Sequence, residues 1–277
     1  MAAVMLLLAA LCACTSERKR EEAQAVARYE QARQLVEEGR LEAAKTQLDS
    51  VHLLYRQQVA VRRQAKALQD SIAYLEAQRT MIYADSLLQV LLPQVDPLLK
   101  RFRYDKDDRY EDHGQYVSRL LQTESNTERN FLQAYISDDR ITRVKSYYFG
   151  AKPCNQQSLE IEALPTAKNA SSPERVSASG SCHAFEVEGY HSILTVEDSA
   201  AINLLQFISA HKADRLRIHV NGTDNRGKIS EITYFLNENE KAALEETYRL
   251  GVLFTDIRRT EEMMARAAKI VEKYATK

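Results

Sequence analysis

The chain has 277 residues, 44% hydrophobic and 28% charged, enough to bury one good core or two small ones. Its 38 basic and 39 acidic side chains nearly cancel, so no long-range field draws in nucleic acid. A mean hydropathy of −0.44 excludes a multi-span membrane protein, and only 8 glycines and 5 prolines suit a helix-rich chain with few tight turns.

From Val4 to Leu11 the chain reads VMLLLAAL, long enough for the apolar core of a secretory leader and too short to span a bilayer. The run stops at Thr15 and gives way to the charged stretch SERKREE. Leu11, Cys12, Ala13 and Cys14 close the leader and resemble the lipobox of a bacterial lipoprotein precursor. That resemblance implies residues 1–13 as a signal peptide, diacylglycerol on the sulfur of Cys14, and a third acyl chain on the new amino terminus. At roughly 0.8 kcal/mol per buried methylene, three chains hold a protein on a membrane more or less permanently. Residues 14–22 then read as a lipidated, flexible tether. Cys12 leaves with the leader and Cys14 is consumed by lipid, so Cys154 and Cys182 are the remaining thiols. They either form a disulfide, worth about 3 to 4 kcal/mol in an oxidising envelope, or stay buried and unpaired.

Residues 23–100 read as helical. Ala25, Tyr29, Ala32 and Val36 recur at three-to-four-residue spacing, Gly39 breaks the run, and Leu41, Ala44, Leu48 and Val51 restart it. This hairpin resembles a single tetratricopeptide-type unit. No second copy follows, so an array with a peptide groove is not expected. A longer helix over 58–92 carries Val61, Leu68, Leu75 and Ile82 at sevenfold spacing with Ala65 and Ile72 between them, the pattern of a coiled-coil seam. Its second track fails at Arg79 and Ser86, and Pro93 and Pro97 end it. The helix expected over 237–277 answers with Leu250, Ile257, Met264 and Val271, flanked by Leu253, Ala267 and Tyr274; the favoured arrangement packs these two seams together, the alternatives being the surface of the β domain, or a second copy or another protein.

Between the helices, 101–236 reads as an antiparallel β domain. Short alternating segments rich in β-branched and aromatic residues fall near 130–136, 141–149, 158–164, 182–188, 190–197, 215–220 and 229–236. SDDR turns between the first two, and NGTDNRG, with Asn221, Gly222 and Gly227 at positive φ, turns between the last two. Residues 165–181 read as a polar surface loop, Asp198 as the N-cap of a short helix containing Ile202, Leu205 and Ile208, and Asn237 with Glu240 as a capping box. Gly251 marks a break or kink in the last helix.

No catalytic, cofactor or metal signature emerges. His52, His113, His183, His191, His211 and His219 form no HxxxH or HExxH pair, although His183 and His191, with Cys182 nearby, are placed to meet across adjacent strands. The acidic stretch Tyr104–Gly114 lacks the ligand ladder of an EF-hand and reads as a solvated connection stapled by Tyr104, Tyr110 and Tyr116. No GxSxG or phosphate-binding glycine loop is present. Tyr147, Tyr148 and Phe149 form the best local candidate for an exposed aromatic binding patch; the absence of tryptophan counts modestly against a sugar site.

The order of leader, lipobox, helical hairpin, long helix, β domain and closing helix, with EEGRLEAAKTQLDSV, YADSLL, KDDRYEDHGQYV, KSYYFGAKP and KAALEETYRLGVLFTDI, resembles uncharacterised envelope lipoproteins of Bacteroidota. The resemblance implies export and membrane anchoring and carries no activity. The expectation is therefore an α+β envelope lipoprotein with its antiparallel, sandwich-like β domain between helical ends. It is anchored through Cys14 and non-enzymatic, with a structural or protein-interaction role and no nucleic-acid partner. The alternative is a glycan- or peptide-binding module on the β domain.

Overall fold

A computed structural model describes residues 2–106, 113–121, 128–164 and 173–275, the side chains of 1–16 and 275 aside. It divides into two compact units, residues 1–86 with 261–277, and residues 87–260.

The first unit is helical. Its α1 (Ala2–Glu37) and α2 (Leu41–Leu54) form the expected hairpin, followed by α3 (Val59–Leu91). Gly39 sits at φ +76°, and the turn closes with Arg40 N–H donating to Leu35 O and Gly39 N–H to Val36 O, a Schellman arrangement that only glycine enters without strain. Ala25, Ala32 and Ala44 are fully buried with Leu48, Val51, Ala65 and Ile72, small residues letting the helices approach closely. Arg28 crosses the hairpin to Gln47 Oε1 at 3.1 Å and to the Tyr55 hydroxyl at 3.4 Å.

Two expectations change here. Residues 15–22, read as a flexible tether, are helical and continuous with α1; no glycine or proline interrupts 2–37, and Glu, Arg and Lys favour helix. The sevenfold seam of α3 also drifts. Val61 is buried, but Leu75 and Ile82 are 38% and 69% exposed, while Ala65, Ile72, Ala77 and Ala84 are buried. A straight helix slips about 20° per heptad against a strict seven-residue repeat, so residues at its far end rotate out of the interface.

The second unit holds the β domain. A short α4 (Val95–Leu99) leads into β1 (Phe102–Asp105), β2 (Gln115–Ser118), β3 (Phe131–Ser137), β4 (Thr142–Gly150), β5 (Asn155–Leu164), β6 (Glu174–Ser179), β7 (Ser181–Glu186) and β8 (Tyr190–Glu197). Then come α5 (Asp198–Ala210), β9 (Arg215–Thr223), β10 (Ile229–Phe235) and α6 (Glu238–Ala275). All pairings are antiparallel, in a six-stranded sheet ordered β1-β2-β3-β4-β8-β7 and a four-stranded sheet ordered β10-β9-β5-β6.

Both sheets turn their apolar faces into one core. Leu132, Val144 and Leu194 from the first meet Leu159, Ile161, Ile218 and Val220 from the second, and α5 adds Leu204, Leu205 and Ile208. Gln156, 2% exposed, ties β5 to the larger sheet by donating its amide to Ser146 O at 2.9 Å and Ser192 O at 2.8 Å. The first two positions of the C-terminal stripe, Leu250 and Ile257, pack within this unit against Phe102, Ile136, Leu91 and Leu98 rather than along Val61–Ile82. Met264 and Val271 lie among residues of the helical unit.

The capping box forms as read: Asn237 N–H donates to Glu240 Oε2 and Glu240 N–H to Asn237 Oδ1, each at 2.9 Å. Gly251 does not break α6; a Cβ there would stand 2.5 Å from Thr142 Oγ1 and 3.0 Å from Ile202 Cδ1, so glycine permits close packing. Asp198 is not the N-cap of α5. That position is Glu197, without a side-chain cap, while Asp198 adopts φ +50° and accepts Arg258 NH2 at 2.9 Å. In the last hairpin only Gly227 takes positive φ; Asn221 and Gly222 lie in β9, where Gly222 admits the Asn155 carbonyl. Within 165–181, β6 replaces the expected loop over 174–179, an edge strand with Val176 and Ala178 as its inward residues.

Candidate functional site

Strand alternation decides which side chains the β unit offers outward. Along β4, Val144, Ser146 and Tyr148 turn inward, so Arg143, Lys145, Tyr147 and Phe149 share the other face. The expected patch is therefore split. Tyr148 is 7% exposed and its hydroxyl donates to Lys152 O at 2.7 Å; it belongs to the core. Tyr147 and Phe149 remain outward.

Around them the register assembles rings that lie far apart in the chain. Phe131 on β3 stands opposite Tyr147, stacked at 4.4 Å and 3°. Phe149 stands opposite His191 on β8, 4.9 Å away. His191 stacks on Phe185 of β7 at 5.0 Å and 4°, and His183 follows at 5.7 Å from Phe185. Lys145 lies over Tyr135 at 4.6 Å and Arg129 near Phe131 at 5.8 Å. Phe185 is 41% exposed, and β7, whose six residues are all exposed, ends the sheet with no strand beyond it among the described residues. Phe131 and Tyr135, the rings beside the cations, are only 4% and 6% exposed, so what this face offers to solvent is its β7 end, the Phe185 ring beside an open row of backbone groups. His183 and His191 do share it, but Phe185 stands between them, and Cys182 points to the opposite side, opposite Leu194.

The outward face of the four-stranded sheet is of another kind. His219, 8% exposed, places Nδ1 3.0 Å from Glu231 Oε1 and Nε2 3.1 Å from Glu162 Oε2. Glu162 also receives Arg175 at 2.6 Å and Arg217 at 3.3 Å. Burial pushes the Glu162 carboxyl up, but the His219 hydrogen bond and the two guanidiniums outweigh it and hold it below the usual carboxylate range. Phe235 lies under Arg215 and Arg217 at 4.4 and 5.4 Å. Each imidazole nitrogen is engaged by a different carboxylate, so neither is offered to a metal or a substrate proton. Among the described residues no group of three His, Cys, Asp or Glu is placed to hold a metal ion.

Of the other candidates, Cys154 is buried and Cys182 exposed, and both are free thiols in this structure. His113 Nδ1 meets Asp138 Oδ1 at 2.8 Å. Tyr104 on β1 and Tyr116 on β2 are a cross-strand pair with rings 5.1 Å apart, but Tyr104 is 52% exposed and so does not staple the connection to the core; Tyr110 lies outside the described residues. Cys14 falls in the backbone of α1, and its side chain is outside those described. Among the described residues no helix is long and apolar enough to cross a membrane.

No family model, no curated protein and no solved structure matches this chain.

Proposed function

We propose that this chain is an exported lipoprotein, held at a bilayer of the bacterial envelope through acylated Cys14, with a non-enzymatic role in binding another protein. The lipobox-like Leu11–Cys14 supports the anchor. The observation that carries the binding role is β7, an exposed sheet edge beside the Phe185–His191–Phe149 stack. An extended segment of the partner would add to that edge through main-chain hydrogen bonds, with its alternate side chains resting on the aromatic rings.

A photo-crosslinking residue at position 185, and another at 226 in the β9–β10 turn, tests this in cells producing the full chain. One discrete adduct at 185 and none at 226 is expected; the same adducts at both positions sink the reading. Cys14→Ser tests the anchor separately, with loss of incorporated fatty acid and of detergent-phase partitioning as the expected result. A second reading, favoured by the Phe185–His191 stack, makes this end of the face a glycan platform. It predicts a thermal shift with soluble envelope glycans that Phe149→Ala removes.

A further inference from the structure

The helical unit carries an apolar turn that its own packing does not use. Where α2 gives way to α3 the chain reads LLYRQQV, Leu53 to Val59, and the residues it turns inward are Tyr55 and Gln58. The Tyr55 hydroxyl accepts Arg28 Nε at 3.4 Å, and Gln58 N–H donates to Tyr55 O at 3.0 Å, so the turn is fixed against the hairpin. Pinning those two leaves Leu53, Leu54 and Val59 more than half exposed, three large apolar side chains within seven residues. Apolar side chains gathered on a surface and rimmed by polar ones mark a contact site.

Charge and position identify what covers it. From Ser50 to Gln69 there is no Asp or Glu, in a chain whose charges nearly cancel, while the same stretch holds Arg56, Arg62, Arg63 and Lys66. Lys66 pairs with Asp70, but the exposed Arg56 and Arg63 have no carboxylate partner among the described residues. On α1, Arg18, Lys19 and Arg20 are offset by Glu17, Glu21 and Glu22, so the positive excess belongs to the turn and the start of α3. Gln58 also donates its amide to Arg18 O at 3.4 Å, and Cys14 precedes Arg18 by four residues, about 6 Å along the helix. The turn therefore lies at the end of the helical unit that carries Cys14.

We propose that the α2–α3 turn seats on the surface of an anionic bilayer, with Leu53, Leu54 and Val59 entering the headgroup layer and Arg56 and Arg63 facing the lipid charge. The proposal rests on the anchored reading and adds a second contact to it. A bilayer accounts for both observations, because interfacial apolar side chains sink about 5 to 10 Å and cations beside them are drawn to anionic lipid. With Cys14 acylated, the turn stands about one helical turn from the lipid, within that depth. A tether alone leaves the helical unit free to tumble against the membrane, whereas a second contact beside it fixes the direction of α1.

The test uses the full chain with Cys14→Ser, so that no acyl chain contributes, on vesicles of phosphatidylcholine with and without phosphatidylglycerol. The leader adds equally to every variant. Leu53→Ser with Leu54→Ser should weaken binding about tenfold. Arg56→Gln with Arg63→Gln should reduce the gain given by phosphatidylglycerol about 25-fold, roughly fivefold per cation, and Arg56→Lys with Arg63→Lys keeps it. All four positions are exposed, where substitutions change folding little. A fluorescent residue at position 54 should be quenched by nitroxide-bearing lipid, and one at position 38, about 20 Å away at the other end of α2, should not. Binding that the leucine variant leaves unchanged, or quenching at both positions or at neither, overturns the proposal. Shielding of position 54 that grows with protein concentration in the absence of vesicles also overturns it and assigns the turn to a second copy. Fatty acid on Cys14 is measured separately on the wild-type chain, so failure of the anchor and failure of the turn are read apart.

Discussion

The two outward faces of the β unit are built from the same strand alternation and behave oppositely. On the four-stranded sheet, Glu162, His219, Glu231, Arg175 and Arg217 consume one another's hydrogen-bonding capacity. On the six-stranded sheet, Phe185 and β7 are left open to solvent. A buried charge without a partner is costly, so a charged face that closes on itself is structural. An exposed ring beside an unpaired edge satisfies nothing internally and is available for binding.

That contrast can be broken most forcefully at Glu162. Replacing it by leucine removes the shared acceptor of His219, Arg175 and Arg217 and should cost about 3 kcal/mol, measured as a lower thermal midpoint; an unchanged midpoint would mean that the cluster does not hold the sheet. Acid should act on the same group. Its folded pKa lies below the unfolded value, so its contribution is complete above about pH 4.3 and disappears as protons reach the folded carboxylate at lower pH. Unfolding curves of wild type and Glu162→Gln should therefore converge as pH falls below that point, and curves that stay parallel would contradict it. On the aromatic face the expected stability change is smaller: Phe185→Ala should alter unfolding by less than about 1 kcal/mol while abolishing the adduct of a crosslinker moved to position 183. The smallest effect is kinetic. Burial pushes both the Cys154 and the Cys182 thiols up, so exposure decides between them: a thiol reagent at neutral pH should label exposed Cys182 before buried Cys154, read by mass spectrometry, and equal rates would mean equal access.

Much of this architecture is legible in short stretches of sequence. All seven expected strands form, because alternation of apolar and polar residues is a local property that the pleat converts directly into an inner and an outer face. The hairpin at Gly39 and the Asn237–Glu240 cap are equally local. The four-residue strands β1 and β2 are too short to show a period, and edge strand β6 has only two inward residues. The patch at Tyr147–Phe149 was half readable: consecutive residues of a strand face opposite ways, so three adjacent aromatics cannot share one surface.

The sequence alone determined seven strands of the β domain, the hairpin at Gly39 and the Asn237–Glu240 cap, since each depends on residues a few positions apart. Only the tertiary structure decided which distant side chains became neighbours. Register set Phe185 on His191 and Glu162 on His219, and the slow rotation of a straight helix turned Leu75 and Ile82 toward solvent. Pairings across tens of residues depend on how strands and helices dock, and a local pattern carries no record of its docking partner.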